Sequence, residues 1–305
     1  MTVAAAAALL GDLARRDEPI GPRTTYRVGG RAALFVELTS DDDVRRVAAA
    51  VAETAVPVLV VGKGSNLLVT DAGFPGLALA LGDAFAGVDV DATVVRAGGA
   101  ASLPVVARQT VRAGLTGFEW AVGVPGSIGG AVRMNAGGHG SEMAHALRSV
   151  RLVDLRSGAD TEVAADVLDL GYRHSNVAAH QLVLFAELAL AAGDRAKGEA
   201  ELSEIVAWRR ANQPGGQNAG SVFANPPGDS AGRLIEAAGC KGLRVGSAEV
   251  STKHANFFQA DAGGSADDVH ALMLEVGRRV EDAFGVRLRA ETRLVGFGSS
   301  GDGDG

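Results

Sequence analysis

Glycine limits what this chain can fold into more than any other residue does. Of 305 residues, 42 are glycine, roughly twice ordinary usage. The strict three-residue period of collagen is absent. The glycines gather instead at Gly29-Gly30, Gly62 to Gly64, Gly123 to Gly130 and Gly137 to Gly140. Clustered glycine lets a backbone take positive φ and approach a ligand closely. Loops of this kind need a framework of regular elements to hold them.

That framework reads as α+β. Arg31 to Leu38 is rich in strand formers and reads as a mostly buried strand. Ser40 with Asp41, Asp42 and Asp43 predicts an N-cap and acidic first turn for a helix through about Glu53. Short strands are expected at Pro57 to Val61, Leu77 to Leu81, Thr93 to Ala97, Arg148 to Leu155 and Gln181 to Leu190, with a helix over Leu103 to Ala113. Composition changes near Gly193, and Ala196 to Arg210 is strongly helical. Ser265 with Asp267 and Asp268 opens another helix, with Val269, Met273, Val276, Val280 and Phe284 at spacings of three and four. Val286 to Val295 alternates and predicts a strand carrying Arg287, Arg289, Glu291 and Arg293 on one face. The expected organisation is an N-terminal helix over 1–19, a first domain over 20–193, a second over 194–297, and a disordered tail of Gly, Ser and Asp over 298–305.

Composition removes several classes of function. With 29 basic and 36 acidic side chains the formal charge is −7, so phosphate backbones and anionic lipid exert no general attraction, and no nucleic-acid or membrane partner is expected. The single cysteine, Cys240, excludes a disulfide framework within the chain and any multi-thiolate metal site. The six His are scattered, so no metal is expected. Val3 to Leu10 is apolar but has no basic residue before it, unlike a signal peptide. A cytoplasmic, reducing compartment is the expectation.

The glycine loops carry the chemistry. Gly62-Lys63-Gly64-Ser65-Asn66-Leu67 follows a strand, but Leu67 stands where a dinucleotide fingerprint has its third glycine. Consecutive N–H groups in such a turn still form an anion-binding nest. In Gly123-Val124-Pro125-Gly126-Ser127-Ile128-Gly129-Gly130, the proline fixes one torsion and the glycines keep side chains away. Helical character resumes beyond it, which offers N–H groups at a helix start to a phosphate. Asn135-Ala136-Gly137-Gly138 follows at once. Three such segments suggest a ligand with a pyrophosphate and a flat ring system.

Several segments resemble UDP-N-acetylenolpyruvoylglucosamine reductase, also called UDP-N-acetylmuramate dehydrogenase. In the first half they are Thr24 to Gly30, Gly62 to Val69 and Val124 to Gly138. In the second they are Gly171 to Ser175, Asn218 to Phe223, Ser251 to Asn256 and Glu291 to Leu294. They run in register from about residue 20 to 297. The resemblance implies an FAD-binding domain of the vanillyl-alcohol-oxidase type, then a smaller α+β substrate domain. It implies NADPH as reductant, and as substrate an enolpyruvyl ether of UDP-N-acetylglucosamine. FAD would be held without a covalent bond, because residues 62–68 contain neither His nor Cys.

The resemblance also distributes roles. Gly62, Lys63, Gly64, Ser65, Asn66, Leu67, Gly123, Val124, Pro125, Gly126, Ser127, Gly129, Gly130, Asn135 and Gly137 would hold FAD. Arg173 would clamp the substrate carboxylate through two parallel hydrogen bonds. Ser221 would protonate carbon. Glu291 would stabilise or protonate the intermediate, and a strand face shared with Arg289 and Arg293 would favour its ionised form. Tyr172, Asn225, Lys253 and His254 are the candidates for substrate contact. One departure stands out: Ala224 occupies a position where the family commonly has a basic residue, leaving Lys253, Arg244 or another base to meet the pyrophosphate. The length favours the shorter, second type of the family. Two other readings remain from the residues alone: a related FAD-dependent sugar or hydroxy-acid oxidase, and a non-catalytic nucleotide-sugar-binding protein.

Overall fold

A computed structural model describes residues 2–298; the expected tail lies outside the described residues from 299 onward. The helices are α1 (Thr2–Leu10), α2 (Asp41–Thr54), α3 (Leu103–Arg112), α4 (Ile128–Met134), α5 (Arg195–Asn212), α6 (Ala231–Ala237) and α7 (Ala266–Phe284). The strands begin with β1 (Arg15–Pro19), β2 (Arg31–Leu38), β3 (Val58–Val60), β4 (Leu67–Val69), β5 (Phe74–Leu81), β6 (Val88–Asp91), β7 (Val94–Gly98) and β8 (Leu115–Thr116). They continue with β9 (Gly137–Gly138), β10 (Ser141–Glu142), β11 (Leu147–Asp154), β12 (Asp160–Ala164), β13 (Gln181–Ala189) and β14 (Ala191–Ala192). The last four are β15 (Arg244–Val245), β16 (Ala248–Val250), β17 (Phe258–Ala260) and β18 (Arg293–Val295).

The first sheet has the order β1-β2-β5-β3, with β1 antiparallel and the others parallel. Val47, Val51 and their neighbours on α2, with α1, cover one face against Leu34, Leu77 and Leu79. Ser40 accepts a hydrogen bond from Asp43 N at 3.1 Å, and the Asp43 carboxylate reaches back to Thr39 N at 2.8 Å, so each end of this cap satisfies the other. The segment expected as one N-terminal helix is a helix only to Leu10 and then a strand: residues 15–19 pair with β2. The charged sequence Arg-Arg-Asp-Glu suits an edge strand whose side chains meet water.

The second sheet, β12-β11-β13-β7-β6, is wholly antiparallel and packs against α3, α4 and the 3-10 turn at Glu119–Gly123. Helix α5 closes the same core through Leu202 and Ile205. A third core gathers α6, α7 and the β15-β16-β17 sheet, and also takes in Tyr26, Val28 and Leu68 from the first half.

Two expectations fail here. Phe284 ends α7 exposed, and Leu272 is buried in the stripe instead. The alternating strand over 286–295 shrinks to Arg293–Val295. Beyond it there is only an isolated bridge between Phe223 and Ala290, so the alternation does not define a two-faced strand. β18 pairs in parallel with β4, register Arg293 to Leu67. The last strand therefore lies directly beside the exit of the 62–66 loop.

Candidate active site

The 62–66 loop leaves the first sheet immediately after Val61 N donates to Leu79 O at 2.7 Å. Among the described residues, no backbone N–H from Gly62 to Asn66 donates to a protein acceptor. That is the expected nest, its donors unspent. Gly64 has φ +60°, and a Cβ there would strike the Arg23 carbonyl and stand 2.5 Å from Thr24 Cα. Thr25 holds the same residue from the other side, its N and Oγ1 both donating to Gly64 O, at 3.1 and 3.3 Å. The Thr-Thr-Tyr-Arg segment thus serves as a brace for the loop. Asn66 Nδ2 donates to Glu291 O at 3.0 Å, and Arg293 N to Asn66 O at 3.0 Å.

The second glycine segment behaves differently from expectation. Helix α4 does start at Ile128, with Ser127 as its cap, but its first N–H groups are already used. Ile128 N donates to Ala101 O and Gly129 N to Gly99 O, each at 2.9 Å, while Gly130 N turns to Ser127 Oγ at 3.4 Å. The helix start has no donors left for a phosphate. Gly129 packs against the carbonyls of Gly99 and Val183, and lines only a 90 Å3 annex beside the main cavity. Asn135 is fully buried and is a brace: Nδ2 donates to Gly171 O and Oδ1 accepts from Ala144 N, both at 2.9 Å.

Arg173 sits in a tight turn closed by Gly171 N to His174 O and His174 N to Gly171 O, each at 3.1 Å. Its φ of +56° is one that L side chains seldom adopt. From there Nε donates to Glu291 Oε1 at 2.6 Å and Nη2 to Gly137 O at 3.1 Å. Glu291 is held by its backbone N donating to Val222 O at 2.8 Å, so the Glu291 and Ser221 segments lie side by side. Asn256 fixes the second of these, with Phe223 N donating to its Oδ1 at 3.0 Å and its Nδ2 donating to Phe223 O at 2.8 Å. The expectation that neighbouring arginines favour the ionised Glu291 is corrected. Burial pushes its carboxyl above the usual carboxylate range, against the opposing pull of Arg173 and then Arg289.

These parts surround one cavity of about 530 Å3. It is lined by the 62–67 loop, by Gly123, Val124, Pro125, Gly126, Ser127, Gly130 and Gly137, and by Arg173, Ser221 and Glu291. The candidates for substrate contact lie elsewhere. Tyr172 is exposed beneath the Arg173 guanidinium, 5.1 Å from its ring centroid. Asn225 accepts from Ala231 N at the start of α6, and Lys253 Nζ donates to Arg210 O at 2.5 Å. His254 accepts from Asn256 N and packs on Phe257. Arg244 is engaged with Glu249 and Asp261. Sequence reasoning missed Arg133, His139, Trp208, Arg209, Phe257 and Arg293, all of which line the cavity. Arg293 was within reach, two residues from Glu291; Trp208 and Arg209 lie in a plain helical stretch with no signal.

The cavity lining carries Lys63, Arg133, Arg173, Arg209 and Arg293 against one carboxylate, Glu291. In an acidic chain, that excess of positive charge fits polyanionic ligands. Burial and then the charge of Arg293 pull the Arg133 guanidinium down to about 10. A glycine-lined turn with unspent donors, set among these cations, fits the diphosphate of FAD.

Residues 32–162 match the family profile described as FAD binding domain. Residues 212–295 match that described as UDP-N-acetylenolpyruvoylglucosamine reductase, C-terminal domain. UDP-N-acetylenolpyruvoylglucosamine reductase 2 of Symbiobacterium thermophilum is 43% identical over 284 residues, 92% of each chain. The reductase of Heliobacterium modesticaldum is 42% identical over 294 residues, 95% of this chain and 93% of that one. The crystal structure of the Thermus caldophilus reductase superposes with a TM-score of 0.79 at 35% identity, covering 91% of this chain and 97% of that one. Fold and site together thus define an FAD-dependent oxidoreductase of α+β architecture. The chain belongs to the UDP-N-acetylenolpyruvoylglucosamine reductase family. Among the described residues, no helix is long and apolar enough to cross a membrane.

Proposed function

We propose that this protein reduces the enolpyruvyl group of UDP-N-acetylenolpyruvoylglucosamine to the lactyl ether of UDP-N-acetylmuramate, with NADPH as reductant, in the cytoplasm. Residues 20–193 seat most of the flavin, with α5 packed into the same core and residues 291–293 anchoring its loop, and the remainder of 194–297 seats the sugar nucleotide. FAD, held without a covalent bond, supplies hydride transfer from reductant to substrate. The observation that carries the reading is that Ser221, Arg173 and Glu291 line the same cavity as the unspent N–H groups of 62–66.

Each side chain has work suited to its setting. Hydride arriving at the methylene carbon leaves negative charge on the neighbouring carbon and its carboxylate. Arg173 stabilises that charge; its Nη1 makes no hydrogen bond to the described residues, and a guanidinium keeps its proton. The Ser221 hydroxyl, likewise without a protein partner among the described residues, gives its proton to the negative carbon and completes the C–H bond. A serine is a weak acid, so the alkoxide it leaves must be stabilised and reprotonated. Glu291, whose carboxyl is held up by burial, is the neighbouring proton source.

Anaerobic stopped-flow measurement of the two half-reactions tests this. Ser221→Ala should leave flavin reduction by NADPH nearly intact and slow reoxidation by the enolpyruvyl substrate by orders of magnitude. Equal loss in both half-reactions would overturn the assignment of Ser221.

A further inference from the structure

The C-terminal end of α5 places Trp208 and Arg209 on the cavity wall. Neither is explained by the fold. Trp208 is half exposed, whereas the other tryptophan, Trp120, is buried in the core. An edge-to-face contact with His139, ring centroids 5.1 Å apart, fixes the plane of the indole. His139 itself is held at φ +52° in the Gly137–Gly140 segment.

Arg209 has no carboxylate within ion-pair distance among the described residues. Its Nε donates to Gln213 Oε1 at 2.7 Å. A basic residue in the last turn of a helix usually serves the terminal carbonyls. Here that work is done by others. Trp208 O accepts from Asn212 Nδ2, Arg209 O from Gln213 N, and Arg210 O from Lys253 Nζ. The guanidinium remains free to face an anion, beside an aromatic ring of fixed plane.

A planar ring next to a forked cation is the chemistry that receives a nucleotide: the ring stacks on a base and the guanidinium takes phosphate oxygens in pairs. We infer that Trp208 and Arg209 form a ledge for the nucleoside diphosphate arm of a reactant entering the cavity. The inference rests on the function proposed above, in which reductant and sugar substrate both carry such an arm.

The FAD-loaded protein and its Trp208→Ala and Arg209→Ala variants are titrated calorimetrically with UDP and with 2′-phospho-ADP-ribose. Trp208→Phe keeps an aromatic face, and Arg209→Gln carries the test should truncation disturb α5. The alanine variants should bind at least one nucleotide about tenfold more weakly, and Trp208→Phe within about threefold of the parent. A loss confined to UDP assigns the ledge to the sugar substrate, one confined to the other probe to the reductant, and loss of both to a shared seat. Unchanged affinities for both nucleotides overturn the inference. Loss of FAD from the variants, seen in the visible flavin absorbance, also overturns it by giving the ledge to the cofactor. If the unaltered protein holds FAD but binds neither probe, it is the proposed function that fails, and the ledge with it.

Discussion

Removing the guanidinium from Arg173 exposes how far the cavity depends on one ion pair. The Arg173 side chain is 22% exposed and that of Glu291 15%, with 2.6 Å between Nε and Oε1. At that burial the pair is only partly screened, and a charge-assisted hydrogen bond of this kind is worth about 1.5–3 kcal/mol. Arg173→Ala should therefore cost about 2 kcal/mol at pH 8, beyond a smaller loss of packing. The cost should depend on pH in a fixed direction. Burial raises the Glu291 carboxyl above its unfolded value, so its favourable contribution is complete below the unfolded value and disappears as pH rises through the folded one. Without Arg173 that loss deepens on the alkaline side and vanishes once Glu291 is protonated in both proteins. The assay is urea unfolding under saturating FAD at pH 4.5 and pH 8, on the parent, Arg173→Ala, Glu291→Gln and the double variant. The two single costs should fail to add by about 2 kcal/mol at pH 8, and the shortfall should shrink as pH is lowered to 4.5. Additive costs at both pH values would refute the reasoning.

Two further outcomes follow from the loops and caps. Gly64→Ala meets both the left-handed torsion and the Arg23 carbonyl, so it should lose at least about 1 kcal/mol of stability. It should also weaken FAD more than tenfold, measured by equilibrium dialysis; unchanged flavin content would discard the brace described for this loop. Ser40→Ala removes the acceptor for Asp43 N and should cost about 1 kcal/mol in chemical unfolding. Turnover under saturating substrates should stay as in the parent.

The elements that could be read from the residues are those whose cause is local. Ser40 and Ser265 accept N–H bonds from Asp43 and Asp268, and four of the five apolar positions named on α7 are buried. The 62–66 nest was legible for the same reason, since a loop of small residues announces its own conformation. Glu291 shows the opposite case. The resemblance names it for the site, but its strand neighbours point to an ionised carboxylate, whereas its setting comes from burial, from Arg173, 118 positions earlier in the chain, and from a carbonyl at Val222. The helix start at Ile128 was misread because the carbonyls that consume its donors belong to Gly99 and Ala101. Asn225 and Lys253 look like ligand contacts in a row of residues, yet each has a neighbour in space that uses it. Arg209 was invisible because a helical arginine is ordinary until the partners of its neighbouring carbonyls are known.

The pairing of β18 with β4 has a consequence for how the protein is made. β4 has no other strand partner among the described residues, and Arg293 N and the Glu291 carbonyl are what tie down Asn66. A nascent chain that has reached residue 290 holds every glycine of the cofactor loop, yet that loop still lacks these anchors. The flavin cannot be gripped until residues 291–293 have been added and packed against Asn66, so a chain halted before Glu291 would carry the whole glycine loop and stay colourless.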